Sequence, residues 1–188
     1  MKRYLLVILL LGTMQIQAQQ INLSIDTIIK KDYSKSSRIK DSGFVIKGIY
    51  IGTRKVYDEK GRLNWIINYG DYKLPRTIYA KTYYFDGPVK MSEGDYVQTS
   101  ADFITKHGIW KWYWKNGTVM DSVIFRDDYE VLRARFSKSG KLQFVEIYPP
   151  YAKEGDQIKI TGYNKNGSVK YKRIGIIGKN GTQLAPDH

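Results

Sequence analysis

The amino-acid sequence predicts an all-β protein of repeated antiparallel β-hairpins that form an extended or curled meander sheet. Two observations carry this prediction. Large side chains alternate along residues 107–125 on both sides of an Asn-Gly pair, a pattern typical of a strand, a tight turn and a second strand. A glycine-centred pattern also recurs along the chain, at a spacing that leaves room for two strands and two connections.

The first strand of residues 107–125 is rich in aromatic side chains. Side chains of a strand alternate between its faces, so Trp110, Trp112 and Trp114 are predicted on one face and Ile109 and Tyr113 on the other. A single hairpin is marginally stable in water. This hairpin is therefore expected to pair with neighbouring strands.

The turn of this hairpin is predicted at Asn116-Gly117. This dipeptide tolerates positive φ at two successive positions, which a two-residue hairpin turn requires. Val119, Val123 and Phe125 then form the returning strand.

Residues 1–18 have the features of a signal peptide. Lys2 and Arg3 precede an apolar run from Tyr4 to Leu11 that is too short for an ordinary transmembrane helix, and Ala18 is a plausible cleavage point. We therefore expect a protein exported to the periplasm or beyond, with no transmembrane span in the mature chain; a retained N-terminal anchor is the alternative.

The sequence has no cysteine, so disulfides are excluded.

Residues 19–47 are predicted to form an N-terminal strand and a polar arm. Ile21, Leu23 and Ile25 alternate with polar residues, and residues 30–38 are polar and charged. Residues 44–46 are expected to begin the next strand. The β-hairpin repeat domain is then assigned to residues 48–188.

The repeat consists of an aromatic residue, a glycine three or four positions later, and an aliphatic residue two positions after the glycine. Its copies are Tyr57–Leu63, Tyr84–Val89, Tyr113–Val119, Phe136–Leu142 and Tyr163–Val169, with a degenerate copy near Gly181. The predicted turn residues are Gly61, Gly87, Asn116, Gly117, Gly140, Asn166 and Gly167. One such hairpin cannot bury its aromatic face alone, so neighbouring copies are expected to stack. The alternative is an unrelated β-sandwich whose turns share the same chemistry.

Two segments share a further pattern, in which a glycine is followed after five residues by a tyrosine and after nine by a second glycine. They are Gly52–Gly61 and Gly108–Gly117. This pattern resembles the MORN-repeat-variant family of bacteria, whose members are commonly labelled antitoxin components of toxin-antitoxin systems. The resemblance covers about residues 48–184. It implies an elongated or curled β-meander that engages proteins or membrane lipids and has no catalytic activity.

Two groups of residues are candidate binding sites. The aromatic group is Trp110, Trp112, Tyr113 and Trp114, for which the alternative is the sheet's own core. The basic group, expected to point outward in one stripe, is Lys111, Lys115, Arg133, Arg135, Lys159, Lys170 and Lys172. This stripe is consistent with the formal net charge of +13, to which Lys2 and Arg3 of the leader contribute two. An anionic ligand, protection of strand edges by charge, or simple solubility each explain the stripe.

The sequence offers little support for catalysis. His107 and His188 are the only histidines, no Gly-x-Ser-x-Gly motif is present, and the metal-binding patterns are absent. We expect no catalytic residue, no metal site and no cofactor.

The preferred interpretation is an exported protein–protein interaction module that is not an enzyme. The alternatives are an envelope module that binds anionic lipid or glycan through a basic and aromatic face, and an antitoxin or immunity partner if the leader is not used. Nucleic acid is not expected as a partner, because export separates the chain from it.

Overall fold

A computed structural model describes residues 40–46, 49–70, 73–84, 87–100, 102–179 and 181–184. The described residues form twelve strands and no helix. The strands are β1 Asp41–Ile46, β2 Ile49–Tyr57, β3 Leu63–Asn68, β4 Arg76–Tyr83, β5 Lys90–Gln98, β6 Ile104–Tyr113, β7 Val119–Arg126, β8 Tyr129–Phe136, β9 Leu142–Ile147, β10 Gln157–Tyr163, β11 Val169–Gly178 and β12 Gly181–Leu184.

The twelve strands form one open sheet in which each strand pairs with the next in sequence. Every pair is antiparallel. The prediction of an all-β antiparallel meander is therefore confirmed. The sheet already includes β1, so it begins before the boundary at residue 48. The predicted signal peptide and the predicted strand at residues 21–25 lie outside the described residues.

Four of the connections share one turn geometry. Gly61, Gly117, Gly140 and Gly167 lie between paired strands with φ of 78°, 83°, 78° and 86°. In the β6–β7 turn, Gly117 N donates to the carbonyl oxygen of Trp114 at 2.8 Å, and Trp114 N donates to that of Thr118 at 2.8 Å. This is a type I turn followed by a left-handed glycine that forms a bulge.

The prediction that Asn116 also adopts positive φ is wrong. Only the glycine of this longer turn is left-handed, and Asn116 stabilises the turn through its side chain instead. Its Oδ1 accepts hydrogen bonds from Thr118 N at 3.1 Å and Thr118 Oγ1 at 2.7 Å. Its Nδ2 donates to the carbonyl oxygen of Lys138 at 2.9 Å, which links this turn to the β8–β9 turn. Asn166 accepts the equivalent hydrogen bonds from Ser168.

The β4–β5 turn departs from the copy inferred from the sequence. The last strand pair before this turn is Tyr83 with Lys90, which are seven positions apart. The turn is therefore one residue longer than the four glycine turns, whereas the sequence pattern predicted one residue fewer. Tyr84 N donates to the carbonyl oxygen of Val89, and Gly87 N donates to that of Tyr84. Pro88 is the additional residue, and no left-handed φ is found at Gly87.

The only two-residue turn of left-handed residues in the described chain connects β7 to β8. Asp127 and Asp128 have φ of 52° and 68°, and Arg126 pairs directly with Tyr129. Aspartate tolerates this conformation better than most residues because its side chain makes local hydrogen bonds. This turn was not predicted, because it lacks the glycine on which the repeat pattern depends.

The two faces of the sheet differ in burial. We call the face that carries Trp110 and Val123 the inner face, and the face that carries Ile109 and Ile124 the outer face. Val123 is 1% exposed and Trp110 is 3% exposed, whereas Ile109 is 56% exposed. Burying an aliphatic side chain fully stabilises a fold by about 1.5–3 kcal/mol, so the inner face is the chain's own core.

Candidate functional site

The three candidate tryptophans have different environments. Trp110 packs against Val123 and Phe125 in the core, and its Nε1 donates to the carbonyl oxygen of Asp95 at 2.8 Å. Trp112 packs on this cluster and remains half-buried. Trp114 follows the end of β6 and donates from Nε1 to the carbonyl oxygen of Phe136 at 3.2 Å. Trp110 is therefore part of the core, as the alternative interpretation held, and has little surface for a partner.

Tyr113 belongs to a polar cluster away from these tryptophans. Its hydroxyl and that of Tyr79 both donate to the Glu93 carboxylate, and Lys90 Nζ lies 2.7 Å from Glu93 Oε1. Burial alone raises the pKa of Glu93, but hydrogen bonds from Lys90, Tyr113 and Tyr79 outweigh it and lower the pKa to about 2. Burial and the bond to Glu93 raise the pKa of Tyr79. The cluster joins β4, β5 and β6 through one ionised carboxylate.

The two candidate arginines are paired with carboxylates on the inner face. Arg135 donates from Nε and Nη2 to the two oxygens of Asp121, both at 2.7 Å. Arg133 donates to both oxygens of Glu130, and its Nε lies 3.9 Å from Glu146 Oε2. The hydrogen bond to Asp121 raises the pKa of Arg135. Neither arginine is an uncompensated positive charge.

The predicted single basic stripe is therefore wrong, because its members lie on both faces. The cross-strand row Trp110, Val123, Arg133, Glu146, Ile160 and Arg173 belongs to the inner face. Lys111 and Lys172 lie in an outer-face row, and Lys159 lies in the row beside it. Lys115 and Lys170 are exposed near the turns before β7 and β11. The register that decides these faces includes bulges, which the sequence pattern did not place.

The outer face carries a row of exposed aliphatic side chains that the sequence interpretation missed. We call it the aliphatic row: Ile109, Ile124, Leu132, Ile147 and Ile174. These residues are direct cross-strand neighbours, except that Lys159 of β10 lies between the last two. Ile109 and Ile147 are 56% and 49% exposed. Six strands at a spacing of about 4.8 Å make the row about 24 Å long.

Lysines lie within the aliphatic row and beside it. The neighbouring outer-face row is Lys111, Ser122, Ala134, Val145, Thr161 and Lys172. From β6 to β11 the two rows contain three exposed lysines and no carboxylate, and in β5 the cross-strand neighbour of Lys111 is Glu93. The alternation of isoleucine and lysine within β6 was the signal in the sequence. Only the strand register shows that isoleucines far apart in the sequence lie side by side on the sheet.

The described residues offer no metal site or membrane helix. No group of three or more histidine, cysteine, aspartate or glutamate side chains in this part of the chain is placed to bind a metal ion. His107 Nδ1 lies 3.9 Å from Asp127 Oδ1, and both side chains are exposed. No helix long and apolar enough to cross a bilayer occurs in the same residues.

No protein-family model and no curated protein matches this chain.

Proposed function

We propose that this chain is an exported, non-enzymatic binding module whose outer face, from β6 to β11, binds an acidic protein. The aliphatic row carries the proposal. Single exposed aliphatic residues are common on protein surfaces, but adjacent ones on one flat face are typical of an interaction site. Four of these side chains are 38–56% exposed and Leu132 is less exposed, so covering one of the four contributes about 1 kcal/mol.

The charges of the outer face indicate the chemistry of the partner. Lys111, Lys159 and Lys172 are exposed around the aliphatic row, with no carboxylate in the two rows. A second copy of the same face would bring these lysines together, and like charges across an interface are unfavourable. An aliphatic surface bordered by aspartate and glutamate complements them. The formal net charge of +13, which falls to 13 − 2 = +11 without Lys2 and Arg3 of the leader, further favours encounter with an acidic partner.

A protein suits this face better than a lipid surface does. Proteins that rest on membranes place tryptophan and tyrosine at the headgroup level. The two outer-face rows contain isoleucine, leucine, valine, alanine and lysine but no aromatic residue, and Trp110 is buried on the inner face. Short branched side chains on a rigid sheet form the kind of surface that packs against another protein.

The proposal predicts that a photo-crosslinking residue at Ile124 captures one acidic protein from the cell envelope. The captured protein is then purified and its affinity for the chain is measured by calorimetry. The double variant Ile124→Ser/Ile147→Ser is expected to bind at least tenfold more weakly, because it removes two central apolar contacts.

The control is Val169→Ser, which removes an exposed aliphatic side chain outside the aliphatic row. This variant is expected to bind as the wild type does. Equal affinity of the double variant and the wild type would contradict the proposal. If the wild-type chain sediments with phosphatidylglycerol vesicles when no partner protein is added, and the double variant does not, the outer face would instead bind lipid.

A further inference from the structure

A groove on the inner face lies apart from the aliphatic row. It has a volume of about 670 Å³, within the range of about 300–1,000 Å³ that is usual for small-molecule sites. Its floor is formed by β8 and β9, and the segment that connects β9 to β10 forms one wall through Tyr148 and Ala152. That segment is held in place where Gly155 N donates to the carbonyl oxygen of Ile177 at 2.8 Å, and Ile177 N donates to that of Asp156 at 2.9 Å.

The charged side chains of the groove nearly compensate each other, with a formal excess of one negative charge. Arg133 and Arg135 line it together with the carboxylates of Asp128, Glu130 and Glu146. Both arginines are already paired, so an anion entering the groove would be attracted only weakly and would meet three carboxylates. The groove is therefore suited to a neutral ligand rather than to the anionic ligand that was one interpretation of the basic group.

The groove nevertheless offers fixed hydrogen-bonding groups. Arg133 and Arg135 use Nε and Nη2 for their carboxylate partners, and within the described residues their Nη1 groups donate to no side-chain or carbonyl oxygen. Tyr148 donates to Glu146 Oε2 at 2.7 Å. The ion pairs hold the guanidinium planes in place, so a ligand hydroxyl that accepts from Nη1 orders no further side chain.

Apolar surface adjoins these polar groups. Phe144 lines the floor, and its ring centroid lies 5.6 Å from Arg135 Cζ. Ala152 and Ile177 line the groove as well. A sugar ring has the matching character, since its hydroxyl groups donate and accept hydrogen bonds at the edge while its faces carry C–H groups that pack on an aromatic ring.

We propose that this groove binds a neutral oligosaccharide, with hydroxyl groups on the Arg133 and Arg135 guanidinium groups and the Glu146 carboxylate, and with a sugar face on Phe144. This activity is independent of protein binding on the outer face. Because the ligand is uncharged, its affinity is expected to change little with salt.

The test uses the full chain and a panel of neutral hexasaccharides: maltohexaose, cellohexaose, chitohexaose and mannohexaose. Saturation-transfer NMR and calorimetry measure binding at up to 5 mM sugar. A dissociation constant of about 5 mM is the weakest that we count as specific binding. At least one neutral hexasaccharide is expected to bind, with affinity changed less than twofold between 50 and 500 mM NaCl. Hexagalacturonic acid is expected to bind at least tenfold more weakly.

Two tryptophan substitutions separate the groove from the rest of the surface. Ala152→Trp fills the groove without removing an ion pair and is expected to reduce binding at least tenfold. Thr161→Trp places the same side chain in the outer-face row and is expected to leave binding unchanged. The proposal is overturned if no neutral hexasaccharide binds, if the acidic hexasaccharide binds more tightly, or if Ala152→Trp binds as the wild type does while its melting temperature shows that it is folded.

Discussion

Gly94 lies directly beneath the indole ring of Trp110. A Cβ at position 94 would lie 2.3 Å from Trp110 Cδ2, closer than carbon atoms approach each other. The absence of a side chain at this position lets the indole lie flat on β5, where its Nε1 reaches the carbonyl oxygen of Asp95. The core around Trp110 therefore depends on a glycine in the neighbouring strand.

Gly94→Ala is expected to lower the free energy of unfolding by about 2–3 kcal/mol, because the indole must move out of a packed position. Urea unfolding monitored by tryptophan fluorescence measures the change. The matched control is Gly87→Ala, where a Cβ meets no atom within 4 Å and φ is not left-handed. A loss at position 94 no larger than that at position 87 would contradict the close packing of Trp110 on β5.

Glu93 gives the stability of the sheet a pH dependence. Its pKa in the folded chain is about 2, below its ordinary value of 4.5. A lowered pKa stabilises the fold fully above the ordinary value, and this stabilisation is lost as the pH falls toward 2. Because the carboxylate keeps some contact with water, we expect the contribution at pH 7 to be about 2 kcal/mol.

Glu93→Gln is therefore expected to unfold at lower urea concentration than the wild type at pH 7, with the difference shrinking as the pH falls from 5 to 2. The control is Glu59→Gln in the exposed β2–β3 turn, which should change stability little at any pH. If the stability difference between the wild type and Glu93→Gln is equally large at pH 7 and pH 2.5, the loss comes from the changed side chain itself and not from the missing charge.

The hairpin turn is the element that repeats most faithfully. In four copies an aromatic residue pairs with the aliphatic residue six positions later, through one type I turn, one left-handed glycine and one bulge. The glycine was identifiable from the sequence because few other residues adopt positive φ without strain. The turn class was not, because Asn-Gly occurs in both two-residue and longer turns.

Gly140→Ala and Ser139→Ala test this turn class. Gly140 has φ of 78° and open space around it, so an added Cβ costs only backbone strain, about 1–2 kcal/mol. Ser139 has no left-handed φ, so alanine there should cost less than about 0.5 kcal/mol. Thermal unfolding of both variants makes the comparison; a loss of stability at Gly140→Ala no larger than that at Ser139→Ala would contradict a left-handed glycine in this turn.

At the scale of the whole molecule, the sequence predicts the class of sheet but not the position of its faces. Alternation along β6 placed Trp110 and Trp112 together correctly, because a strand keeps its period of two between bulges. Bulges near Gly108 and before the turns at Gly61, Gly117, Gly140 and Gly167 shift the cross-strand register. Arg133 was consequently assigned to the same stripe as Lys111, although the two lie on opposite faces.

The candidate binding sites depend on contacts between strands that are distant in sequence. The aliphatic row joins Ile109 to Ile174 across six strands, and no local pattern links two residues so far apart. The groove depends on the segment between β9 and β10 packing near Ile177. Composition indicated a basic surface, but it did not reveal that Arg135 is neutralised by Asp121.

The central claim is that the chain covers its inner face with its own side chains and leaves its outer face exposed to solvent. Because the chain has no cysteine, single cysteines introduced along β7 report this directly through their rate of reaction with a maleimide. Ser122→Cys and Ile124→Cys are expected to react at least ten times faster than Val123→Cys and Phe125→Cys in the folded chain, and all four at similar rates in urea. Similar rates at all four positions in the folded chain would contradict the account.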